Sequence, residues 1–211
     1  MPPGVWIEYD IEDSPIFEKV EINGRLSFKD DIENPVNRTL RSFIVYVRAG
    51  ELLIGSEEQP FSGNATIILY GEPESETIAP SFLTKFGNKG LFIVGLAKMY
   101  GKHRDQNTRL REIAYQGNTT ITVSPGLDWK PLDRIVLMAT AVQYNHFDYA
   151  TIVDYDSVTG VVKLNEPLNF YHWGRARSTA DEYSGVDMRG EVVLLSRNVR
   201  VVGNDSDSWG G

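Results

Sequence analysis

The chain contains no cysteine, which excludes disulfide staples, thiolate metal sites and thiol redox chemistry. Histidine is scarce as well. His103, His146 and His172 are the only three, and none stands in an H-x-H or H-x-x-x-H spacing, so no single element carries a neighbouring pair for zinc. No apolar run approaches the roughly 18 residues that a membrane-spanning helix needs. Positive charge is in deficit, with 21 Lys and Arg against 29 Asp and Glu and a formal net charge of −8. Such a surface repels phosphate backbones and anionic lipid, so neither nucleic acid nor a membrane surface is an expected partner. No G-x-S-x-G elbow is present, and nucleophilic hydrolysis finds no support. No cofactor-binding motif occurs, and no cofactor is expected.

What remains is a globular composition, 41% hydrophobic and 24% charged over 211 residues, enough for one sizeable core; one domain over residues 1–211 is expected. Short runs of β-branched and aromatic residues recur along the chain, punctuated by glycine and separated by polar turns. The central stretch, Ser42 to Gly71, carries three of them: Phe43 to Val47, Glu51 to Ile54 and Ala65 to Tyr70, closed by Gly50, Gly55 and Gly71. They are almost continuously apolar, the pattern of strands buried on both faces. Further strands are predicted at Val5 to Tyr9, Glu18 to Ile22, Arg25 to Phe28, Leu91 to Val94, Ala97 to Tyr100, Thr119 to Val123, Asp133 to Ala139, Ala150 to Asp154, Val161 to Leu164, Glu191 to Leu195 and Val199 to Val202. Asn23-Gly24 and Asp156-Ser-Val-Thr-Gly160 read as tight turns. Residues 102–115 include helix formers and lack glycine and proline, so at most one or two helical turns are expected there. Short strands, burial on both faces and glycine turns at intervals of about 20 residues favour an all-β, right-handed parallel β-helix-like solenoid of short strands, with a β-sandwich as the alternative.

Several motifs stand together in order. They are Glu21-Ile22-Asn23-Gly24-Arg25-Leu26-Ser27-Phe28; Gly50-Glu-Leu-Leu-Ile-Gly55-Ser56; Pro60-Phe61-x-Gly63-x-Ala65-x-Ile67-x-Leu69-x-Gly71; Gly87-Asn88-Lys89-Gly90-Leu91; Trp129 with Asp133-x-Ile135-Val136 and Thr140; Leu164, Leu168 and His172; and Glu191-Val-Val-Leu-Leu-Ser-Arg-Asn-Val199. The set resembles the eight-glycine domain, the extracellular module of fibrocystin-like proteins and of related hyaluronan-degrading proteins. Leu132 stands where the family usually has a glycine before the aspartate, Asp148 comes late for the acidic residue expected after Thr140, and the segment after Gly101 lacks the usual tryptophan. The resemblance implies a non-enzymatic structural or recognition module, extracellular or at the cell surface, and, as the alternative, a polysaccharide-binding or depolymerising domain of the hyaluronan type. No secretion signal precedes Val5, so a segment of a larger protein is expected. Partners are then flanking domains of that chain, copies stacked end to end, or an extracellular glycan.

Four N-x-S/T sequons, at Asn37, Asn64, Asn118 and Asn204, are candidate glycosylation sites at turns and strand edges. His172, in Phe170-Tyr-His-Trp-Gly174, is a candidate acid/base or ligand group, against the plainer reading of a buried ring bonded to backbone carbonyls. Trp173 and Trp209 are the tryptophans expected to be exposed for sugar stacking, whereas Trp129 reads as structural. Arg109 and Arg111, with Arg104, form a small basic patch suited to a carboxylated sugar or simply to solvent. Asp154 and Asp156 are weak calcium candidates that lack a complete binding loop.

Overall fold

The computed structural model describes residues 1–72, 87–174 and 186–204. Every regular element among them is a strand. The described residues fall into two compact units, one from Met1–His103 with the segment from Arg197 onward, the other Arg104–Ser196.

In the first unit all strand pairs are parallel. Strands β1 (Trp6–Tyr9), β3 (Arg25–Phe28), β5 (Glu51–Ile54) and β8 (Leu96–Met99) make one sheet in that order. Strands β2 (Asp13–Ile22), β4 (Arg38–Val47), β6 (Ala65–Leu69) and β15 (Val199–Gly203) belong to a second, where β7 (Gly90–Ile93) also pairs with β4. From β1 to β6 successive strands alternate between the sheets, and equivalent positions stack: Leu26 lies opposite Leu52 and Leu52 opposite Ala97, while Val45 lies between Val20 and Leu91. Leu26, Leu52, Val45, Phe61 and Ile67 are buried in the shared core. In β4 burial alternates up to Phe43 and then runs unbroken from Ile44 to Val47, as the continuous apolar run requires. Asn23-Gly24 closes no hairpin: β2 and β3 pair with different strands, and the dipeptide is a corner between sheets.

The corners explain the glycines. A Cβ on Gly24 would collide with the Val5 carbonyl, one on Gly50 with the Gly24 carbonyl and one on Gly95 with the Gly50 carbonyl. Backbone packs on backbone in a column, and only hydrogen fits between. Gly55 is needed twice over, since its φ is +66° and a Cβ would sit 2.6 Å from the Phe61 nitrogen.

In the second unit all pairing is antiparallel. The order is β10 (Thr120–Thr122), β13 (Val161–Leu164), β12 (Asp148–Asp156), β11 (Arg134–Leu137), β14 (Glu191–Leu194), β9 (Asn107–Arg109). Such pairing is foreign to a parallel solenoid, so what the whole chain shares is the all-β class and not one winding. Leu110, Ile135, Leu137, Ile152, Val162 and Leu194 fill the core on one face. The β12–β13 hairpin has the expected loop: Asp156 Oδ2 accepts from Thr159 Oγ1 at 2.6 Å, Oδ1 accepts from the Val158 amide at 2.9 Å, and Gly160 has φ +79°. No helix forms at 102–115. Residues 107–109 pair with β14 instead and Leu110 is fully buried behind them, so tertiary packing overrides a weak helical preference. Leu132 has φ +71°, the only positive φ at a non-glycine among the described residues, at the position where the resembling family has glycine.

Candidate functional site

A buried polar arrangement in the second unit joins Asp148 at the start of β12 to His172 in the loop after β13. His172 is fully buried and Asp148 is 2% exposed. His172 exchanges both backbone hydrogen bonds with Ala114, which fixes the ring's direction. Its Nδ1 lies 3.0 Å from the Met138 carbonyl and its Nε2 lies 2.9 Å from Asp148 Oδ2. A carbonyl oxygen only accepts, as does an ionised carboxylate, so both ring nitrogens face hydrogen-bond acceptors. The carboxylate is saturated: Oδ1 accepts from the Asn169 amide and its side-chain Nδ2, both at 2.9 Å, and Oδ2 accepts from the Phe170 amide at 3.0 Å. Burial pushes the Asp148 carboxyl upward, but the bonds from His172, Asn169 and Phe170 outweigh it and hold the group below its ordinary value.

Both side chains are buried, so the pair acts within the fold. It ties the segment from Met138 to Asp148 to the segment from Asn169 to His172, two stretches that share no ladder. Trp173, which is half-buried, continues the tie, its amide donating to Thr140 Oγ1 at 2.9 Å. His172 is therefore a positioning residue by geometry. The late acidic residue at Asp148 is its partner.

The basic patch does not converge. Arg104 donates to Asp133 Oδ2 at 2.6 Å and to Asp128 Oδ2 at 2.9 Å. Arg109 donates to the Arg189 carbonyl at 2.7 Å and lies 3.5 Å from Asp187, which Arg189 already grips through two nitrogens. The Arg189 hydrogen bonds hold the Asp187 carboxyl down to about 2. Arg111 is exposed, and its guanidinium meets no acidic partner among the described residues. Asp156 is committed to the hairpin loop, and Asp154 accepts from the adjacent Tyr155 amide. Among the described residues no group of three or more acidic or histidine side chains is placed to hold a metal ion.

Of the tryptophans, Trp129 is buried and donates through Nε1 to the Asp105 carbonyl at 2.8 Å; Trp209 lies outside the described residues. Trp6, not singled out from sequence, is 65% exposed on β1, with Arg25 over its ring and its Nε1 donating to Ser27. The sequons differ in surroundings. Asn37 and Asn64 are neighbours immediately before β4 and β6, and Asn64 Nδ2 donates to Asn37 Oδ1 at 2.8 Å. Asn204 follows β15, its amide donating to the Leu69 carbonyl. Asn118 is half-buried in the turn before β10. Tyr115 and Tyr171, 57% and 41% exposed, meet edge to face at 5.9 Å beside that turn. Neither tyrosine stands out in the sequence as a site residue. The only available signal was a tyrosine three positions before a sequon asparagine.

A family model described as the G8 domain matches residues 1–111. Human fibrocystin-L is 26% identical over 216 residues, covering 99% of this chain and 5% of its own length. Mouse fibrocystin is 30% identical over 184 residues, 86% of this chain and 4% of its own length. Protein rliB of Dictyostelium discoideum is 25% identical over 211 residues, 95% of this chain and 17% of its own length. The chain therefore spans a small fraction of each relative.

Proposed function

This chain belongs to the G8 domain family, and from that membership we propose that it is a non-enzymatic structural module of a larger extracellular or cell-surface protein, whose partner is neighbouring β-structure. The observation that carries the reading is the state of the strand edges in the first unit. β1 and β2 each pair with one described strand, as do β8 and β15 at the far side of the same sheets. An unpaired edge offers backbone donors and acceptors to another strand. Its exposed side chains here include large apolar ones: Trp6, Ile7, Ile16 and Phe17 on the first pair, Leu96, Val201 and Val202 on the second, all at least 37% exposed. Proteins that keep such edges unpartnered usually shield them with charge or proline; here Glu8, Asp13, Pro15, Glu18 and Lys19 are interspersed with the exposed apolar side chains rather than replacing them.

Exclusively parallel pairing, alternation between sheets from β1 to β6 and backbone-on-backbone corners support the finer inference that the first unit winds as coils of a right-handed parallel solenoid. Flanking coils of a longer polypeptide then continue the sheets, which accords with the share of each relative that the chain spans. The buried His172–Asp148 pair supports a scaffold over a depolymerase, since hydrolysis of a glycan needs acid and base groups in contact with substrate.

The test is sedimentation of the secreted module, alone and with flanking sequence, across a wide concentration range. Flanks should raise the melting temperature and protect the β1 and β2 amides from exchange, and Trp6→Lys with Ile16→Lys should abolish that gain. A monomeric module whose melting and exchange are indifferent to flanks and to both substitutions rules the proposal out. Self-association without flanks identifies a second copy as the partner.

A further inference from the structure

Resting on the extracellular reading, the geometry points to a built-in sugar contact: Tyr115 is the platform on which the first N-acetylglucosamine of an N-glycan at Asn118 stacks. The two residues are the ends of one tight turn. The Asn118 amide donates to the Tyr115 carbonyl at 3.0 Å, and Gly117 has φ +87° while Gln116 is not positive. That is the type II pattern, glycine being required at the third position by its φ, since nothing lies within 4 Å of a Cβ built there. A turn of this kind holds its end Cα atoms within about 7 Å, close enough for a sugar on Asn118 Nδ2 to lie across a ring at Tyr115.

The turn is anchored on both sides. Ala114 exchanges two backbone bonds with His172, the Gly117 amide donates to the Leu168 carbonyl at 2.8 Å, and the Leu168 amide donates to the Asn118 carbonyl at 2.9 Å. The His172–Asp148 pair immobilises that neighbouring segment in turn. Tyr115 is 57% exposed and braced edge-on by Tyr171. A braced and exposed ring suits the apolar face of a pyranose, whose hydroxyls stay in water at the rim. The Asn118 side chain makes no hydrogen bond with any described residue, whereas Asn64 donates to Asn37. Thr120, which completes the sequon, is exposed at the start of β10. Residues 113–121 and 167–174 contain no Asp, Glu, Lys or Arg, in a chain that is 24% charged, and Lys163 lies opposite Thr120 on β13.

The experiment compares four secreted glycoproteins: the natural sequence, Thr120→Ala, Tyr115→Ala and the double variant. A sample of the natural sequence is also trimmed enzymatically to one N-acetylglucosamine per site. Removing the Asn118 sequon in the presence of Tyr115 should lower the melting temperature by about 2–4 °C, the scale of one modest contact in a chain of this size. Trimming should leave it unchanged, because the first sugar makes the contact. In the Tyr115→Ala background the sequon should make no difference. The N-acetyl and ring protons of that sugar should shift upfield by ring current, and should lose the shift with Tyr115→Ala. Equal effects of Thr120→Ala in both backgrounds, with no ring-current shift, overturn the contact and leave the extracellular reading intact. So does glycan on Asn37 or Asn64 with Asn118 bare. Absence of glycan at every sequon of the secreted protein removes the glycoprotein reading together with this inference.

Discussion

Asp148→Ala is the substitution whose cost the structure defines most closely. It removes one buried carboxylate and orphans four donors at once: the Asn169 amide, the Asn169 side chain, the Phe170 amide and His172 Nε2. Breaking a buried, hydrogen-bonded pair by deleting one partner costs about 3–5 kcal/mol, because the groups left behind remain desolvated without their partner. One kcal/mol corresponds to about 2–4 °C in a chain of this size, so melting of the second unit should fall by roughly 6–20 °C at pH 7. The pH dependence follows from the direction of the shift. A carboxyl held below its unfolded value of about 3.9 contributes stability that is fully present above that value and is lost as pH falls through the folded one. The natural protein and Asp148→Ala should therefore differ widely at pH 7 and converge in acid, below about pH 4. Urea titrations followed by tryptophan fluorescence at pH 7, 5, 4 and 3 give the difference directly. A variant within 2 °C of the parent at pH 7, or a gap that persists undiminished to pH 3, would refute the buried-pair argument.

Gly50→Ala should fail to accumulate as a soluble protein or melt far below the parent, since its Cβ would meet the Gly24 carbonyl; a normal melting curve would mean the corner column is loose. Leu132→Gly should stabilise by about 0.5–1 kcal/mol, because it relieves a left-handed backbone at a residue whose side chain is 82% exposed and so gives up little burial; calorimetry checks the sign. Leu110→Ala should cost about 2–5 kcal/mol, as for other fully buried leucines, and a loss under 1 kcal/mol would mean that β9 does not hold Leu110 in the core. Acid titration should also reach the first unit. Glu21, held to about 2 first by its hydrogen bond from Lys19 and then by Asn23, contributes stability present above about pH 4 and lost as pH falls toward 2. Lys19→Met should flatten that part of the profile.

Strand content, most strand positions, the hairpin at Asp156–Gly160 and the need for glycine at Gly50 and Gly55 were legible because each rests on local rules: apolar runs, turn chemistry and backbone freedom. Some locally written signals were weaker than the packing that opposed them. The helix formers of 102–115 lost to the ladder with β14 and to the burial of Leu110. The Asn23-Gly24 dipeptide, a hairpin signal wherever flanking strands pair with each other, became a corner because β2 and β3 found partners in different sheets. For the candidate site, His172 read from sequence as either a ligand group or a buried ring; its burial and its contacts with Met138 and Asp148 come from packing, which no local pattern encodes.

The amino-acid order by itself determined that this is an all-β chain without thiol chemistry, acidic, and punctuated by glycines that a bulkier residue could not replace. It also carried the ordered motifs that place it in its family. Only the tertiary structure decided that pairing is parallel in one unit and antiparallel in the other, that Arg109 answers Asp187 and Arg189, and that Asp148 lies against His172 across more than twenty residues of sequence. Strand direction and long-range ion pairing depend on which distant segments share a core. That choice is made by the summed burial of the whole chain, while periodicity and turn residues are properties of a few neighbours.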